Sequence, residues 1–442
     1  MAVFDFIEQN GVGAGFVYKN TTNAYYFNGT TFNAITDVDY PATTVRGIVY
    51  LDGTYYVMTP SGSISGSDLE NPTSWSALNV IQSRMEPDAG VCLARQLNMV
   101  VALSAYSTEF FYDAGNPTGS PLSSFPSAFL EVGCASADSV AQIEQSLFFI
   151  GVSKAKGRSI YKLDGTTPNM VSTPSIDRIL NNDSLSDVSS YCIKLSGHGF
   201  YFLTLRNTGI TLVYDYTTGQ WAKWTQLALS STQSITTLVW DSSGKVTAGK
   251  TSHGYSDGDC IVVSGSTPSG YNGQYVINVL DANTYTYTLA ANPGTYTSGA
   301  LSAVYNETYF NMASYTSGSG FDLVQDSTTG SIFAMDAGTY QDGTAPIKFR
   351  IRTPKYDAGD NKEKQFSRVE IIGDKVASTS YLRYTNDDYQ SWSSFRPIDM
   401  SLQRSKLDRQ GRGRRRAYDM INYDNQPIRI ESLELTVEEG TA

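Results

Sequence analysis

The feature that most constrains the fold of this chain is a strand–turn–strand unit that recurs along its first half. Each unit joins two apolar runs by a polar turn, as in residues 47–58 (GIVYLDGTYYVM), 145–165 and 199–221. Asp-Gly and Asn-Gly turns between such runs are strong hairpin signals. The units begin at intervals of roughly 50 residues, a period typical of β-propeller blades. The repeat therefore predicts an all-β fold with a β-propeller of about six blades.

The composition agrees with an all-β chain. A pair of β-sandwiches is the alternative architecture to the propeller. The 30 Tyr favour strands and the 38 Gly favour tight turns, while charged residues are only 17% of the chain. Helix signals are confined to two segments. Residues 174–182 (PSIDRILNN) begin with Pro and carry spaced apolar residues, and residues 136–145 (SADSVAQIEQ) are a second candidate.

One stretch interrupts the repeat and predicts an inserted domain. From residue 245 to residue 304 the chain is rich in Gly, Ser, Thr and Tyr, and apolar residues alternate at Tyr275, Ile277 and Val279 and again at Tyr285 and Tyr287. We expect a small β-barrel or sandwich here. The predicted domains are thus 1–244 (first part of the propeller), 245–304 (inserted module) and 305–442 (second part of the propeller and C-terminal strands).

The charge and the termini bear on partners and location. The net charge is −11, which argues against a protein that grips DNA phosphates. It suits either a surface past which DNA slides or a protein kept soluble by its charge. The N-terminal MAVFDFIEQNGVG has no basic or apolar signal-peptide region, and no run approaches the ~18 apolar residues of a membrane span. We expect synthesis in a cytoplasm.

The sequence predicts no catalytic, cofactor or metal site. Cys92, Cys134, Cys192 and Cys260 form no CxxC pair, and His198 and His253 are far apart, which disfavours zinc. His198, between two Gly, reads as a turn residue. The turn Asp257-Gly258-Asp259 lacks the spacing of a calcium loop. The neighbouring pairs Asp387-Asp388 and Glu438-Glu439 point to opposite strand faces, so neither forms an acid–base pair.

Two segments in the C-terminal quarter carry distinctive patterns, a basic run and a turn motif. Residues 404–416 (RSKLDRQGRGRRR) form a basic run, either a phosphate-contacting loop or, as we favour, a loop whose Arg side chains pair with Asp and Glu within the protein or on a partner. Residues 385–392 (TNDDYQSW) resemble the Asp box of sialidase-like propellers, with Tyr389 in place of Gly. Such a box stabilises a β-hairpin and is not catalytic.

Four segments together resemble the packaged-DNA stabilisation proteins (tail hub or nozzle proteins) of short-tailed phages. They are residues 107–122 (STEFFYDAGNPTGSPL), the stretch 159–180 containing VSTPSID, residues 197–224 (GHGFYFLTL to QWAKW) and residues 411–440 (GRGRRRAYDM to VEEG). The module's HG-x-x-x-GD, YNG and TYTYTL pattern is similar to small β-modules of phage tail proteins.

The resemblance implies a structural virion protein, made in the host cytoplasm, without enzymatic activity or cofactor. It implies a homo-hexameric ring that follows the portal adaptor, extends the DNA channel, helps to retain packaged DNA and binds a needle, fibres or spikes, without sequence-specific DNA binding or membrane insertion. Tyr-rich segments at 24–27 and 285–287 are candidate subunit contacts. The alternative is a carbohydrate-binding or sialidase-like propeller that acts on host glycan.

Overall fold

Antiparallel strands dominate the computed structural model, which describes residues 5–8, 16–318, 321–336 and 338–439. The chain divides into two compact units. Unit 1 contains Met1–Trp224 and Phe310–Met335, and unit 2 contains Thr225–Tyr309 and Asp336–Ala442. Most of the N-terminal segment that lacks signal-peptide features lies outside the described residues.

The first 21 strands form five sheets in chain order, and each strand pairs mainly with its neighbours in sequence; the last of them, β21, runs beyond the end of unit 1. Short turns join them, because Gly and Asp residues such as Asp52 and Gly53 adopt the positive φ that tight hairpins need. The five sheets are β1–β4 (Asp5–Glu8, Phe16–Lys19, Ala24–Phe27, Phe32–Ala34), β5–β8 (Val49–Leu51, Thr54–Met58, Ser63–Asp68, Asn71–Gln82), β9–β12 (Gly90–Gln96, Met99–Ser104, Thr108–Asp113, Leu122–Ser124), β13–β17 (Gly133–Cys134, Ala141–Ile143, Ser146–Val152, Ser159–Asp164, Thr167–Met170) and β18–β21 (Val188–Leu195, His198–Leu205, Ile210–Asp215, Gln220–Leu229).

The part of unit 2 that follows is a two-sheet module. One sheet has the order β23-β24-β28-β27. The other contains β25, β26, β29 and β22 and is continuous with the fifth sheet, because β29 pairs with β21. Both sheets pack on one cluster that includes Val246, Ile261, Ile277 and Tyr285, which explains the alternation seen in the sequence. The strands are β22 (Gln233–Ser234), β23 (Thr237–Trp240), β24 (Lys245–Gly249), β25 (Cys260–Ser264), β26 (Gly273–Val276), β27 (Asn278–Asp281), β28 (Thr284–Thr288) and β29 (Leu301–Tyr309).

After the module the chain re-enters unit 1, where it forms a sixth sheet. It has three strands, β30 (Met312–Gly318), β31 (Phe321–Asp326) and β32 (Ile332–Met335). Each sheet of unit 1 packs its apolar face against the next one. The contacts run through Val17 and Tyr55, Tyr56 and Phe111, Phe110 and Phe149, Phe148 and Tyr201, and Phe202 and Val324. Successive sheets packed face to face are the arrangement of propeller blades, and their number agrees with the prediction of about six.

The C-terminal part of unit 2 is a sandwich of two sheets. One has the order β35-β41-β37-β38; in the other, β36 pairs with β42 on one side and with β39 and β40 on the other. Val369 and Leu382 share their core. The strands are β33 (Gln341–Asp342), β34 (Ala345–Pro346), β35 (Phe349–Arg352), β36 (Lys364–Gly373), β37 (Thr379–Thr385), β38 (Arg396–Asp399), β39 (Ser405–Asp408), β40 (Arg412–Gly413), β41 (Ala417–Asn422) and β42 (Ile430–Glu439).

One of the two predicted helices is present. Helix α1 spans Pro174–Asn182, as predicted, and buries Ile176 and Leu180 against the fourth and fifth sheets. The prediction of a second helix over residues 136–145 is wrong. That segment has a single 3-10 turn, Ala137–Ser139, and then strand β14, which pairs with β15. The local helix signal yields to strand pairing because the pairing buries Ile143 in the core. Two further 3-10 turns span Pro126–Ala128 and Ser269–Tyr271.

Candidate functional site

The turn at residues 385–392 forms a hairpin connection held by Asp387. Its carboxylate accepts hydrogen bonds from the Ser391 backbone N–H at 2.9 Å, the Thr385 hydroxyl at 2.7 Å and the Ser391 hydroxyl. These bonds, that of the Ser391 hydroxyl foremost, lower the pKa of Asp387 to about 2. The carboxylate is thus committed to the turn, as in an Asp box, and is not free to transfer protons.

The departure from the Asp-box pattern has a structural consequence. Tyr389, at the Gly position of the motif, has a φ of 70°, in the left-handed region that side chains rarely adopt. Its hydroxyl donates to the Thr353 carbonyl, and its ring lies 5.9 Å from that of Trp392. These contacts offset the strain, so the turn forms without Gly.

The basic run 404–416 is mostly exposed and lies beside this turn. It pairs with β36 through β39 and β40. Arg404 forms an ion pair with Glu370 at 3.1 Å, and Arg415 forms one with Asp388 at 2.5 Å. The run therefore supplies internal ion pairs and also presents exposed cations, among them Arg409 and Arg414.

Arg416, at the end of the run, is fully buried and anchors it. Its guanidinium stacks over Tyr384 at 3.8 Å and over Phe366 at 4.1 Å. It donates to the carbonyls of Gln410 and Arg412 and to the Asn386 side chain. Burial lowers the pKa of this guanidinium. Arg416 thus joins the basic run to the 385–392 turn.

Sequence reasoning missed a cluster of three Arg around a buried carboxylate. Arg350 binds Asp419 through two hydrogen bonds, Nε–Oδ1 at 2.8 Å and Nη2–Oδ2 at 2.6 Å. Arg383 reaches Oδ2 at 2.9 Å, and Arg352 reaches Oδ1 at 3.4 Å. Both Arg352 and Arg383 also lie over the Trp392 ring. The alternation of Lys348, Arg350 and Arg352 was the available sequence signal.

The electrostatics of this cluster favour a charged Asp419. Burial alone raises the pKa of its carboxyl, but the hydrogen bonds and charges of Arg350 and Arg383 outweigh burial and lower it. Three guanidinium groups around one carboxylate resemble a site for an anionic ligand, but here Asp419 of the chain itself occupies the anion position. The cluster is therefore a structural ion network.

The two His side chains are held apart by local structure. His198 begins β19 directly after a two-residue turn, and its Nδ1 lies 2.8 Å from Asp215 Oδ2. His253 accepts the Tyr255 backbone N–H at Nδ1, while its Nε2 lies 2.8 Å from the Asp281 carbonyl. A shallow cleft of about 330 Å³ borders His253, Tyr255 and Asp281.

The remaining candidate groups serve the fold. Asp257 accepts the Val279 backbone N–H and Asp259 that of Ser256, so both carboxylates close turns. All four Cys are free thiols. Burial raises the pKa of each, that of Cys134 to about 12. Within the described ranges, His, Cys, Asp and Glu nowhere gather in groups of three that could hold a metal ion.

The Tyr-rich segments differ in exposure. Tyr25 is half-buried and stacks on the exposed Phe32 at 4.9 Å. Tyr285 and Tyr287 are buried in the module core, so the expectation that this segment forms a contact surface is wrong. Both rings face the cluster between the two sheets, because alternate residues of a strand share one face. No helix among the described residues is long and apolar enough to cross a membrane.

Comparison with solved structures shows weak similarity to several propellers and other chains. A computationally designed protein, Ika8, is 14% identical over 74% of this chain and 81% of its own, with a TM-score of 0.34. BamB from Moraxella catarrhalis is 13% identical over 75% and 99%, at 0.32. The WD40 β-propeller domain of Doa1 is 11% identical over 70% and 85%, at 0.34. Because all three TM-scores lie below 0.5, the fold assignment does not depend on them.

The family comparison is more specific. No curated protein matches the chain. A family model described as "Bacteriophage P22 Gp10, beta-propeller" matches residues 10–254, more than half of the sequence. The match covers all but the first strand of the first five sheets, and it contains three of the four segments that carry the resemblance in sequence; the fourth, residues 411–440, lies outside it. The chain therefore belongs to the phage stabilisation family typified by bacteriophage P22 Gp10 and is a phage structural protein built on a β-propeller.

Proposed function

We propose that the chain is a subunit of a hexameric tail nozzle that continues the DNA channel below the portal adaptor and helps to retain packaged DNA. The observation that carries this proposal is the family match over residues 10–254, because it falls on the segment that forms the propeller sheets. The propeller would form a rigid part of the channel wall, and the function would depend on assembly of the subunits into a ring.

The distribution of charge supports a channel role. The segments of unit 1 contain 12 Lys and Arg against 21 Asp and Glu, a net charge of −9. Residues 96–153 contain no Lys or Arg at all. An acidic wall repels phosphates, so DNA can pass without being held. Sequence-specific DNA binding and membrane insertion have no place in this function.

The C-terminal part is close to neutral overall and suits protein partners. Residues 336–442 contain 18 Lys and Arg against 17 Asp and Glu, and the cations concentrate in the run 404–416. Arg416 and the 385–392 turn hold that run in a defined conformation. We propose that it contacts acidic protein surfaces in the virion, such as the portal adaptor, needle, fibres or spikes, after synthesis in the host cytoplasm.

The structure does not favour the glycan-directed alternative. A sialidase-like site needs Arg side chains that are free to bind a ligand carboxylate, but Arg350 and Arg383 are bound to Asp419. The Asp387 carboxylate is likewise used within its own turn. We propose that the chain has neither an enzymatic activity nor a cofactor.

The direct experiment adds the purified chain to cognate DNA-filled heads that lack it. Electron microscopy of the portal vertex then shows where it binds. A six-fold ring below the adaptor supports the proposal. Absence from the particles, or a position at the tail periphery only, contradicts it. Sugar release from host glycan measured on the same preparation separates the two functions, because only the alternative requires it.

A further inference from the structure

The sixth propeller sheet differs from the other five in its outer edge. Among the described residues it has three strands, whereas each of the others has at least four. Its last strand, β32, pairs with β31, and no other strand in the described ranges pairs with it. The side chains of β32 are also exposed on both faces: Ile332 is 66% exposed and Phe333 is 46% exposed.

An apolar edge strand of this kind is a ready template for another strand. Its free N–H and C=O groups and its exposed apolar side chains favour pairing, and isolated proteins normally block such edges with Lys, Pro or a covering segment. No Lys, Arg or Pro occurs between Met312 and Asp336. The edge therefore fits a strand supplied from outside unit 1.

The acidic charge of the sixth-sheet segment restricts which kind of strand can pair with β32. The sheet-six segment carries Asp322, Asp326 and Asp336 without any cation, so the complementary strand should be basic and should alternate basic with apolar residues. A hydrophobic residue can then cover Phe333, while its basic neighbours lie near the negative charge of Asp336, which directly follows β32.

This chain contains a strand of that description. Strand β35 reads Phe-Arg-Ile-Arg, is preceded by Lys348 and lies at the edge of its sheet. Its three cations face two carboxylates: Lys348 pairs with Glu307, and Arg350 and Arg352 share Asp419. A positive charge thus remains, and Arg352 is 49% exposed. In the described part of the chain no strand pairs with the outer edge of β35.

We propose that β35 of a second copy of this chain pairs with β32 and completes the sixth sheet. The contact joins two different surfaces, so it is heterologous, the kind of contact that builds a ring when its rotation closes. This inference rests on the proposed ring of subunits and adds to it the contact through which neighbours join.

Two lysine variants test the edge. Phe333→Lys places a charge on the free edge of β32, while Leu78→Lys places the same charge on β8, where Leu78 is 78% exposed. Each full-length protein is assayed by sedimentation velocity and by addition to DNA-filled heads that lack it. We expect Phe333→Lys to weaken subunit association at least tenfold and to leave the thermal unfolding temperature unchanged, and Leu78→Lys to behave as the wild type.

Cross-linking tests the partner strand. The Phe333→Cys protein is mixed with the Arg352→Cys protein and treated with a short bifunctional thiol reagent. Cys92, Cys134 and Cys260 are buried but Cys192 is partly exposed, so the wild-type protein treated in the same way measures cross-links through native thiols. We expect a dimer in this mixture, none in either protein alone, and none when Leu78→Cys replaces Phe333→Cys.

The outcomes separate the contact from the ring. If wild-type and Phe333→Lys proteins form equal rings and the mixture gives no dimer, the β32–β35 contact is wrong while the nozzle proposal stands. A second outcome is that the mixture gives no dimer and the backbone amides of β32 are protected from hydrogen exchange in the monomer. The chain's own residues would then cover this edge, and the proposed contact would be wrong. If the wild type neither associates nor joins heads, both proposals fail.

Discussion

Arg350 and Asp419 lie on neighbouring strands of the C-terminal sandwich and form a two-point ion pair, with Nη2–Oδ2 at 2.6 Å and Nε–Oδ1 at 2.8 Å. Asp419 is fully buried, whereas Arg350 is partly exposed. The pair is therefore the point at which a surface cation is tied to the interior of the fold. Its position on β35 links the stability of the sandwich to the strand that we propose as a subunit contact.

Removing the charge of Asp419 should destabilise the sandwich. Asp419→Asn leaves the guanidinium of the buried Arg383 without its carboxylate, which typically costs about 3–5 kcal/mol when an ion pair is broken on one side. Denaturant unfolding monitored by fluorescence measures the loss. Asp374→Asn, at an exposed carboxylate, is the matched control and should change stability by less than about 0.5 kcal/mol. Equal stability of both variants contradicts the role of the network.

The same carboxyl predicts how stability changes with acid. Its pKa is lowered in the folded protein, so its stabilising contribution is fully present above the ordinary carboxyl pKa of 3.8 and is lost as pH falls through the lower folded value. We expect the denaturant concentration at the unfolding midpoint of the sandwich to decrease as the pH is lowered below 3.8. Asp419→Asn should reduce this pH dependence. Denaturant titrations at several acidic pH values measure it. An unchanged pH dependence in the variant assigns acid unfolding to other groups.

Neighbouring Arg of the basic run should differ in their effects. Arg416→Ala removes a buried cation from Phe366 and Tyr384 and leaves polar acceptors unpaired, so a loss of about 3 kcal/mol is expected. Arg415→Ala removes a half-exposed partner of Asp388 and should cost less than about 1 kcal/mol. Thermal unfolding compares them, and similar losses would mean that Arg416 does not anchor the run.

Packing between propeller sheets should depend on single aromatic residues. Phe148 is fully buried, and its ring stacks on that of Tyr201 at a centroid distance of 5.0 Å. Phe148→Ala creates a cavity between the fourth and fifth sheets and should cost about 3–5 kcal/mol. Phe333→Ala, at an exposed position, should leave the stability of the isolated chain nearly unchanged. Chemical denaturation of the two variants decides, and a small loss at position 148 contradicts the packing described.

Local patterns predicted the elements of this fold that depend on local physics. The turn chemistry and the alternation of apolar residues identified the propeller strands and the module, and Pro174 marked the start of α1. The segment 136–145 was predicted wrongly because its strand character comes from pairing with β15, a contact that local sequence does not contain.

The charged network of the C-terminal sandwich shows the same limit. Arg350 and Asp419 are 69 residues apart in sequence and meet only because β35 and β41 pair. The alternation of Arg350 and Arg352 marks the cations, but no spacing rule reveals the carboxylate that they share. The burial of Tyr285 and Tyr287 likewise depends on which face of β28 the second sheet covers. A Tyr-rich composition is equally compatible with a contact surface and with a buried core.

The proposed nozzle position is tested by imaging the portal vertex after the purified chain is added to DNA-filled heads that lack it. We expect one additional six-fold ring, continuous with the channel below the adaptor, and retention of DNA by the heads that acquire it. Heads without added density at the vertex, with the protein absent from particles or bound only at the tail periphery, would contradict it.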